Sequence, residues 1–300
     1  MNTRNFEVII IGGSYAGLSA ALSLGRAIRK VLVIDNGKPC NRHTPHSHNF
    51  LTQDGRSPAI IAETGKEQVM QYPTVQFMDA WVTEVKKEKE QFIVFTSDHQ
   101  NLTAKKILFA TGVKDLMPGI ESFDDCWGIS AIHCPYCHGY EYKGKKTGLL
   151  ANGDIAFEFS QLLHNWTDQL TIFTNGPSTI TSAQADQLVL KNIFIVEKKI
   201  RKFQHHKGYI QSMKFRDGST FQLDAIYAKL SFEQHSPIPE KLGCKINEQG
   251  YIQIDEFQRT SIPGIYAAGD NTTSMRSVAS AVAAGTKAGA FINHDLISGN

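Results

Sequence analysis

The chain has little cysteine, no long apolar run, almost no net charge and no repeat, and each shortage removes a class of protein. Five cysteines in 300 residues is an odd number, and Cys40, Cys126 and Cys244 stand far apart. That is poor material for a secreted disulfide framework and suits a reducing cytoplasm. No uninterrupted apolar segment approaches the ~18–20 residues that a bilayer span requires. The apolar stretch 8–24 after Arg4 imitates a signal peptide. Gly12, Gly13, Ser14 and Gly17 interrupt it, however, and no A-x-A-like cleavage site follows. A formal net charge of +2 gives no reason to expect nucleic acid or a membrane surface as a partner. Without a repeat or a low-complexity linker, the chain is no solenoid and no string of tethered modules. The expected setting is cytoplasmic.

What is present is ordinary globular material, 41% hydrophobic and 20% charged, long enough for two domains. Residues 6–11 form a β-branched run that reads as a buried strand. It leads into Gly12-Gly13-Ser14-Tyr15-Ala16-Gly17, an apolar helix over 18–26, and a second buried strand over 30–34 that ends in Asp35. This is a βαβ dinucleotide fingerprint with an acid ~20 residues after the glycines to hold a ribose hydroxyl. Gly12 makes the tight turn, Gly17 lets helix and strand pack closely, and the helix N-terminus faces the pyrophosphate. Ser14 stands where the middle glycine is expected and crowds that approach slightly.

Residues 39–50 are rich in histidine, with His43, His46 and His48 near Cys40. These are metal-ligand residue types, but their spacing fits no familiar finger, and a loop folded over a cofactor is the preferred reading. Pro58 opens a helix over 57–71. Residues 75–77, 80–86 and 91–96 read as strands of a meander. A buried strand over 105–110 ends in Ala110-Thr111-Gly112, a second place for backbone to approach a dinucleotide. Pro118 and Gly119 mark a crossing into a second domain. His133-Cys134-Pro135-Tyr136-Cys137-His138 follows, and cysteines spaced this tightly point to redox work or metal binding. A second βαβ unit (146–150, 153–165, 169–173) is damaged. Ala151 occupies its first glycine position, and Thr174-Asn175-Gly176-Pro177 after its second strand carries neither arginine nor acid. Lys198, Lys199, Arg201 and Lys202 read as a solvated strand edge. Strands over 250–254 and 265–270, the latter ending in Asp270, precede an alanine- and glycine-rich helix from Ser277.

Taken in order, these landmarks resemble the low-molecular-weight thioredoxin reductase-like flavoproteins, within the FAD-dependent pyridine nucleotide-disulfide oxidoreductases. The resemblance runs from the first strand to the last helix. It is closest to a subgroup of dithiol oxidases with an eroded NADPH site, through Gly37-Lys38-Pro39, the histidine-rich loop and His-Cys-Pro-x-Cys-His. It implies an α/β fold of two Rossmann-like, three-layer dinucleotide-binding domains, the second inserted into the first. Residues 1–116 and 237–300 would form the FAD domain, and 117–236 an NAD(P)H-binding-like domain carrying the redox pair. FAD would be held by Gly12, Gly13, Ser14, Ala16, Gly17, Asp35, Asn36, His46, His48, Asn49, Phe50, Thr111, Gly112, Gly269, Asp270, Ser277 and Val278. An NAD(P)H site is doubtful, because the glycines and arginines of true thioredoxin reductases are missing. The acid that follows their second cysteine is replaced by His138. A homodimer is expected by the same resemblance.

The chemistry implied is electron exchange between flavin, the Cys134–Cys137 pair and a thiol or disulfide substrate. By resemblance, Cys137 faces the flavin and Cys134 exchanges with substrate. His138 is suited to shuttle the proton, since an imidazole titrates near neutral pH, and His133 is a second candidate. The substrate is a small redox protein or a small-molecule dithiol, with oxygen or a nicotinamide as electron partner. Two alternatives stand beside this: a strict NADPH-dependent thioredoxin reductase, and a non-enzymatic flavin-binding redox sensor. A glutaredoxin domain is disfavoured because the cysteine pair follows a full dinucleotide fold. Structural zinc is disfavoured by the lack of a second Cys-x-x-Cys, so no metal is expected.

Overall fold

The computed structural model describes residues 4–299. It divides into two compact units, one of residues 1–42, 50–114 and 232–300, the other of residues 43–49 and 115–231. The short excursion His43–Asn49 thus groups with the second unit, although it lies in the sequence between two pieces of the first.

The first unit is built on a seven-stranded sheet. Its first strand, Arg4–Ile11, pairs in parallel with Val31–Asp35 on one side and Asn101–Phe109 on the other. Alternate residues of that strand point to opposite faces, and both faces are covered. Val8 and Ile10 join a core with the helices, whereas Ile9 and Ile11 join a second core with the antiparallel strands, to which Phe6 near the strand's start also belongs, out of step with the alternation. This explains why the strand reads as continuously apolar.

The sequence expectation of a meander beginning near residue 75 is corrected here. Val75–Asp79 pairs in parallel with Val31–Asp35, in register Val31↔Val75, across the helix Pro58–Met70. The antiparallel meander is instead Val82–Glu88, Gln91–Thr96 and Asn101–Phe109. Alternation along a short strand does not reveal the direction of its neighbour. A second correction concerns 250–254, which makes only isolated bridges, Ile246↔Ile252 and Ile254↔Thr260. The Asn247 carboxamide there accepts from the Gln249 and Tyr251 amides at 3.1 and 2.9 Å and holds a turn instead of a ladder. The last strand, Ile265–Ala267, ends short of Asp270 because Gly269 adopts φ +96° and turns the chain.

The helix Tyr15–Arg26 packs on the long C-terminal helix Val278–Ser298. Contact is backbone-close: a Cβ on Gly285 would sit 2.1 Å from the Ala16 carbonyl oxygen, and one on Gly289 would sit 2.7 Å from that of Ala20. The Ser19 hydroxyl donates to the Val282 carbonyl at 2.8 Å, pinning the register of the two helices. Despite its length, neither this helix nor any other among the described residues is apolar enough to cross a membrane.

The second unit carries a five-stranded parallel sheet in which Thr147–Leu150 lies between Leu170–Phe173 and Ala225–Ala228. The helix Gly153–Leu163 contributes to the core on one face through Ala156, Phe159 and Leu163. A three-stranded antiparallel sheet, Ile200–His206, Tyr209–Phe215 and Thr220–Gln222, contributes Phe203, Met213 and Phe215 to the other. Both units are therefore three-layer Rossmann-like α/β arrangements.

Candidate active site

In the first unit the glycine turn closes on itself. Gly12 has φ +105°, and a Cβ there would lie 2.3 Å from the Ala110 oxygen. At Gly17 a Cβ would lie 1.9 Å from the Gly12 oxygen, so the helix can pack on the strand only without a side chain. The Gly13 amide donates to Asp35 Oδ1 at 2.9 Å, and the Gly37 amide to Oδ2 at 3.1 Å. One amide on each oxygen leaves each a lone pair for an incoming hydroxyl. Ser14 is the N-cap of Tyr15–Arg26 but makes no side-chain cap bond, so it does not consume the first-turn amides.

The other expected cofactor residues of this unit gather around the same strand ends. Ala16 lies under Gly269, where a Cβ would come 3.1 Å from its own. Gly112 turns at φ +65°, and its carbonyl accepts from the His235 amide at 3.4 Å. The guanidinium Nε of Arg276 lies 3.6 Å from Asp270 Oδ2. Ser277 caps the C-terminal helix, its hydroxyl accepting from the Ser280 amide at 3.1 Å, one residue before Val278. Asn36 is half-buried directly after Asp35, and Phe50 packs on the helical core.

Asn271, which the sequence did not single out, ties this edge together. It is fully buried, and its Nδ2 donates to the Phe109 oxygen at 2.9 Å and reaches the Thr111 hydroxyl at 3.5 Å. Its Oδ1 is buried with no partner among the described residues. A buried carboxamide oxygen without a donor is costly and fits a ligand donor at this edge. Its only sequence signal is a polar residue directly after the Gly269-Asp270 pair. With the glycine cradle and the Asp35 carboxylate, these residues fit a dinucleotide such as FAD.

The second unit holds the cysteine pair. Cys134 is the N-cap of the one-turn helix Pro135–His138. Pro135 is suited to the first helical position, where its missing amide costs nothing. The Cys137 amide donates to the Cys134 carbonyl at 3.3 Å, and the two sulfurs are 2.7 Å apart in thiol–thiol contact. The Cys134 thiol is shifted below the usual thiol range, first by the Cys137 thiol against an opposing burial effect. The Cys137 and Tyr136 amides and the Lys229 ammonium help. A thiol so shifted is the nucleophilic member of a pair.

His138 is shielded, and burial pushes its pKa down while Glu141 pulls it up. His133 lies beside Trp127 with ring centroids 6.2 Å apart. Gly139, another residue the sequence did not flag, has no room for a side chain: a Cβ would sit 2.8 Å from the Trp166 indole nitrogen. Trp166 in turn meets Tyr136 edge to face at 5.6 Å. His46 and His48, rings 6.5 Å apart, and Asn49 at φ +60° belong to this second unit. His48 Nε2 lies 3.5 Å from Glu141 Oε1. No group of three or more histidine, cysteine or acidic side chains among the described residues is arranged to hold a metal ion.

The second βαβ turn is filled from within. Asn152 Oδ1 accepts from the Gly153 amide at 2.9 Å and the Thr179 amide at 2.8 Å, and its Nδ2 donates to the Pro177 carbonyl at 2.9 Å. Asp154 adds an acid to the first turn of the helix, where a phosphate would need the field that the acid opposes. The polar groups of this turn are thus engaged from within by Asn152. One expectation changes here: the turn does meet a cation, since a Cβ on Gly176 would lie 2.8 Å from Lys199 Nζ. Lys198 and Lys202 are engaged elsewhere, with Asp217 at 2.9 Å and Glu121 at 3.7 Å.

Comparison with known proteins agrees with this geometry. The model of the pyridine nucleotide-disulphide oxidoreductase family matches residues 6–285. Thioredoxin reductase tcpT of Claviceps purpurea is 28% identical over 310 residues, covering 99% of this chain and 97% of the relative. Thioredoxin reductase sirT of Leptosphaeria maculans is 29% identical, covering 97% and 94%. The solved structure of an oxidoreductase from Agrobacterium tumefaciens is 35% identical, with a TM-score of 0.92 over 99% of this chain and 100% of that one. The chain belongs to the pyridine nucleotide-disulphide oxidoreductase family and is a thioredoxin reductase-like, FAD-dependent disulfide oxidoreductase.

Proposed function

We propose that Cys134 and Cys137 are the redox-active pair of this enzyme and cycle between dithiol and disulfide. The observation that carries this is the 2.7 Å approach of their sulfurs, with the Cys134 thiol drawn below its usual range. Cys134 exchanges with substrate, and Cys137 is the partner sulfur with which it opens and closes the disulfide. Bound FAD supplies two-electron chemistry to the pair. On the protein side, Gly12, Gly13, Ser14, Ala16 and Gly17 receive the pyrophosphate. Asp35 and Asn36 take the ribose, and Asp270 with Ser277 and Val278 receives the remaining polar part of the cofactor. Thr111, Gly112 and Gly269 keep the backbone close to it, with His46, His48, Asn49 and Phe50 as further cofactor contacts. His138, with His133 beside the pair, moves the thiol proton.

The 1–116/237–300 portion serves as the flavin domain, and the 117–236 portion as the carrier of the pair. The substrate is a dithiol or disulfide, either a thioredoxin-like protein or a small molecule. The enzyme works as a cytoplasmic homodimer. Oxygen is favoured over a doubtful nicotinamide as electron partner, because Asn152 engages the turn that a pyrophosphate would need. A second reading, NADPH-dependent reduction of thioredoxin, is favoured by the position of Lys199 beside Gly176.

Anaerobic mixing of the FAD-loaded protein with dithiothreitol, NADPH and NADH in turn separates the two. Bleaching by the dithiol alone, with oxygen consumption on readmission of air, is expected. Rapid bleaching by NADPH replaces the first reading with the second. Unchanged thiol turnover in Cys134→Ser and Cys137→Ser removes the cysteine mechanism.

A further inference from the structure

The acid expected directly after the second cysteine is missing at position 138, but the structure supplies one a helical turn later. After Pro135–His138 the chain keeps winding: the Gly139 amide donates to the Pro135 carbonyl at 2.6 Å, and the Tyr142 amide to the Gly139 carbonyl at 3.2 Å. A three-residue spacing in such winding puts Glu141 on the side of His138. The Glu141 carboxylate is also held from a distant part of the sequence, through the 3.5 Å contact with His48 Nε2. Segment His43–Asn49, which carries His48, belongs to the same compact unit.

His138 itself is unusual. Both ring nitrogens are sealed from water, and the backbone group that acts on the ring is that of Cys134. Burial disfavours its charged form most, Glu141 favours it, His48 opposes it, and the Cys134 backbone favours it again. Around the pair, Lys229 acts on Cys134, while Tyr227 and Tyr142 are kept protonated, chiefly by burial. Glu141 is therefore the acid that stabilises a proton on His138. An exposed glutamate–histidine contact alone adds little to stability, whereas a carboxylate beside a desolvated imidazole alters what that imidazole can hold.

We propose that Glu141, steadied by His48, is a positioning residue that enables His138 to take and return the proton of thiol–disulfide exchange. This rests on the reading of Cys134–Cys137 as the redox pair. In the step concerned, a substrate thiol gives its proton to the His138 imidazole. The resulting thiolate attacks Cys134 Sγ, forming the mixed disulfide and breaking the Cys134–Cys137 bond. The electron pair of that bond leaves on Cys137 as a thiolate, which recovers the proton from the His138 imidazolium. The second substrate thiol then displaces Cys134 as a thiol, so two electrons have passed to the pair and no proton is left over.

The test uses full-length, FAD-loaded protein with dithiothreitol as the dithiol, and two readouts. One is the pH profile of dithiothreitol exchange at the oxidised pair, followed by quenched alkylation and mass spectrometry. The other is the NMR titration of the His138 ring, assigned with His138→Gln. Glu141→Gln is expected to lower the His138 titration and the acidic limb of the profile together, by roughly one pH unit. Glu141→Asp, which keeps the charge on a shorter stem, should lower both by less. If Glu141→Gln loses its flavin, the Glu141→Asp titration decides: an unmoved titration overturns the proposal. Both readouts unmoved in a flavin-loaded Glu141→Gln protein overturn it too, making Glu141 a solvated surface acid. Cys134→Ser distinguishes the levels. Normal exchange without that sulfur sinks the cysteine reading itself, whereas lost exchange with an immobile Glu141→Gln limb sinks only the role of Glu141.

Discussion

The two units offer the same strand–turn–helix and treat its polar groups in opposite ways. In the first, Ser14 sits at the helix cap without a cap bond, and the neighbouring polar groups keep free capacity at Asp35 and Asn271 Oδ1. In the second, Asn152 satisfies two amides and one carbonyl by itself. A dinucleotide turn is therefore defined less by its glycines than by whether the chain leaves its hydrogen bonds unmet. Unmet groups are tolerable only where a ligand completes them.

The strongest way to break this contrast is Gly17→Ala. Its Cβ would fall 1.9 Å from the Gly12 oxygen, and the overpacking is expected to cost about 1–3 kcal/mol. Flavin content per chain, read by absorbance, should collapse. Retained flavin with an unchanged melting temperature would mean that the turn does not hold the cofactor. Gly153→Ala is its counterpart in the second unit. At φ +59° the substitution should cost about 1–2 kcal/mol with flavin content unaffected.

Asn152→Ala comes next. Loss of the cap is expected to destabilise the second unit by about 1 kcal/mol in chemical denaturation. The same change unblocks the turn, and the variant should show slow flavin reduction by NADPH where the parent shows none. Combining it with Lys199→Ala should abolish that gain; a gain that survives would show that the cation beside Gly176 takes no part.

The smallest effect tests the cysteine pair through pH. Because the Cys134 thiol is drawn down to about 7, a substantial share of it is thiolate at neutral pH. Alkylation by iodoacetamide should slow only as pH falls through that depressed pKa. Lys229→Met removes a favourable charge, so the pKa rises and the slowing starts at a slightly higher pH. An unshifted profile would assign the depression to the Cys137 thiol and the local amides alone.

The first unit was the more legible in sequence, for a physical reason. Gly12, Gly17 and Asp35 act through local backbone geometry and a fixed βαβ spacing, which a linear pattern records. Asn271 and the pairing of Val75–Asp79 depend on strands that meet only in the folded sheet. Residues 250–254 alternate like a strand, yet the Asn247 side chain turns them. At the cysteine pair the hexapeptide was plain, but Glu141 and its contact with His48 join residues far apart in the chain. No spacing rule connects them.

The backbone-close packing of Val278–Ser298 on Tyr15–Arg26 also sets an order of events during synthesis. The helix beside the glycine turn leaves the ribosome long before Gly285 and Gly289, which it needs as neighbours. Residues 115–231 emerge together in between, and domains fold as units when their residues are present. Residues 115–231 can thus be complete while the glycine turn still waits for Val278–Ser298, so closing of that turn follows folding of the second unit.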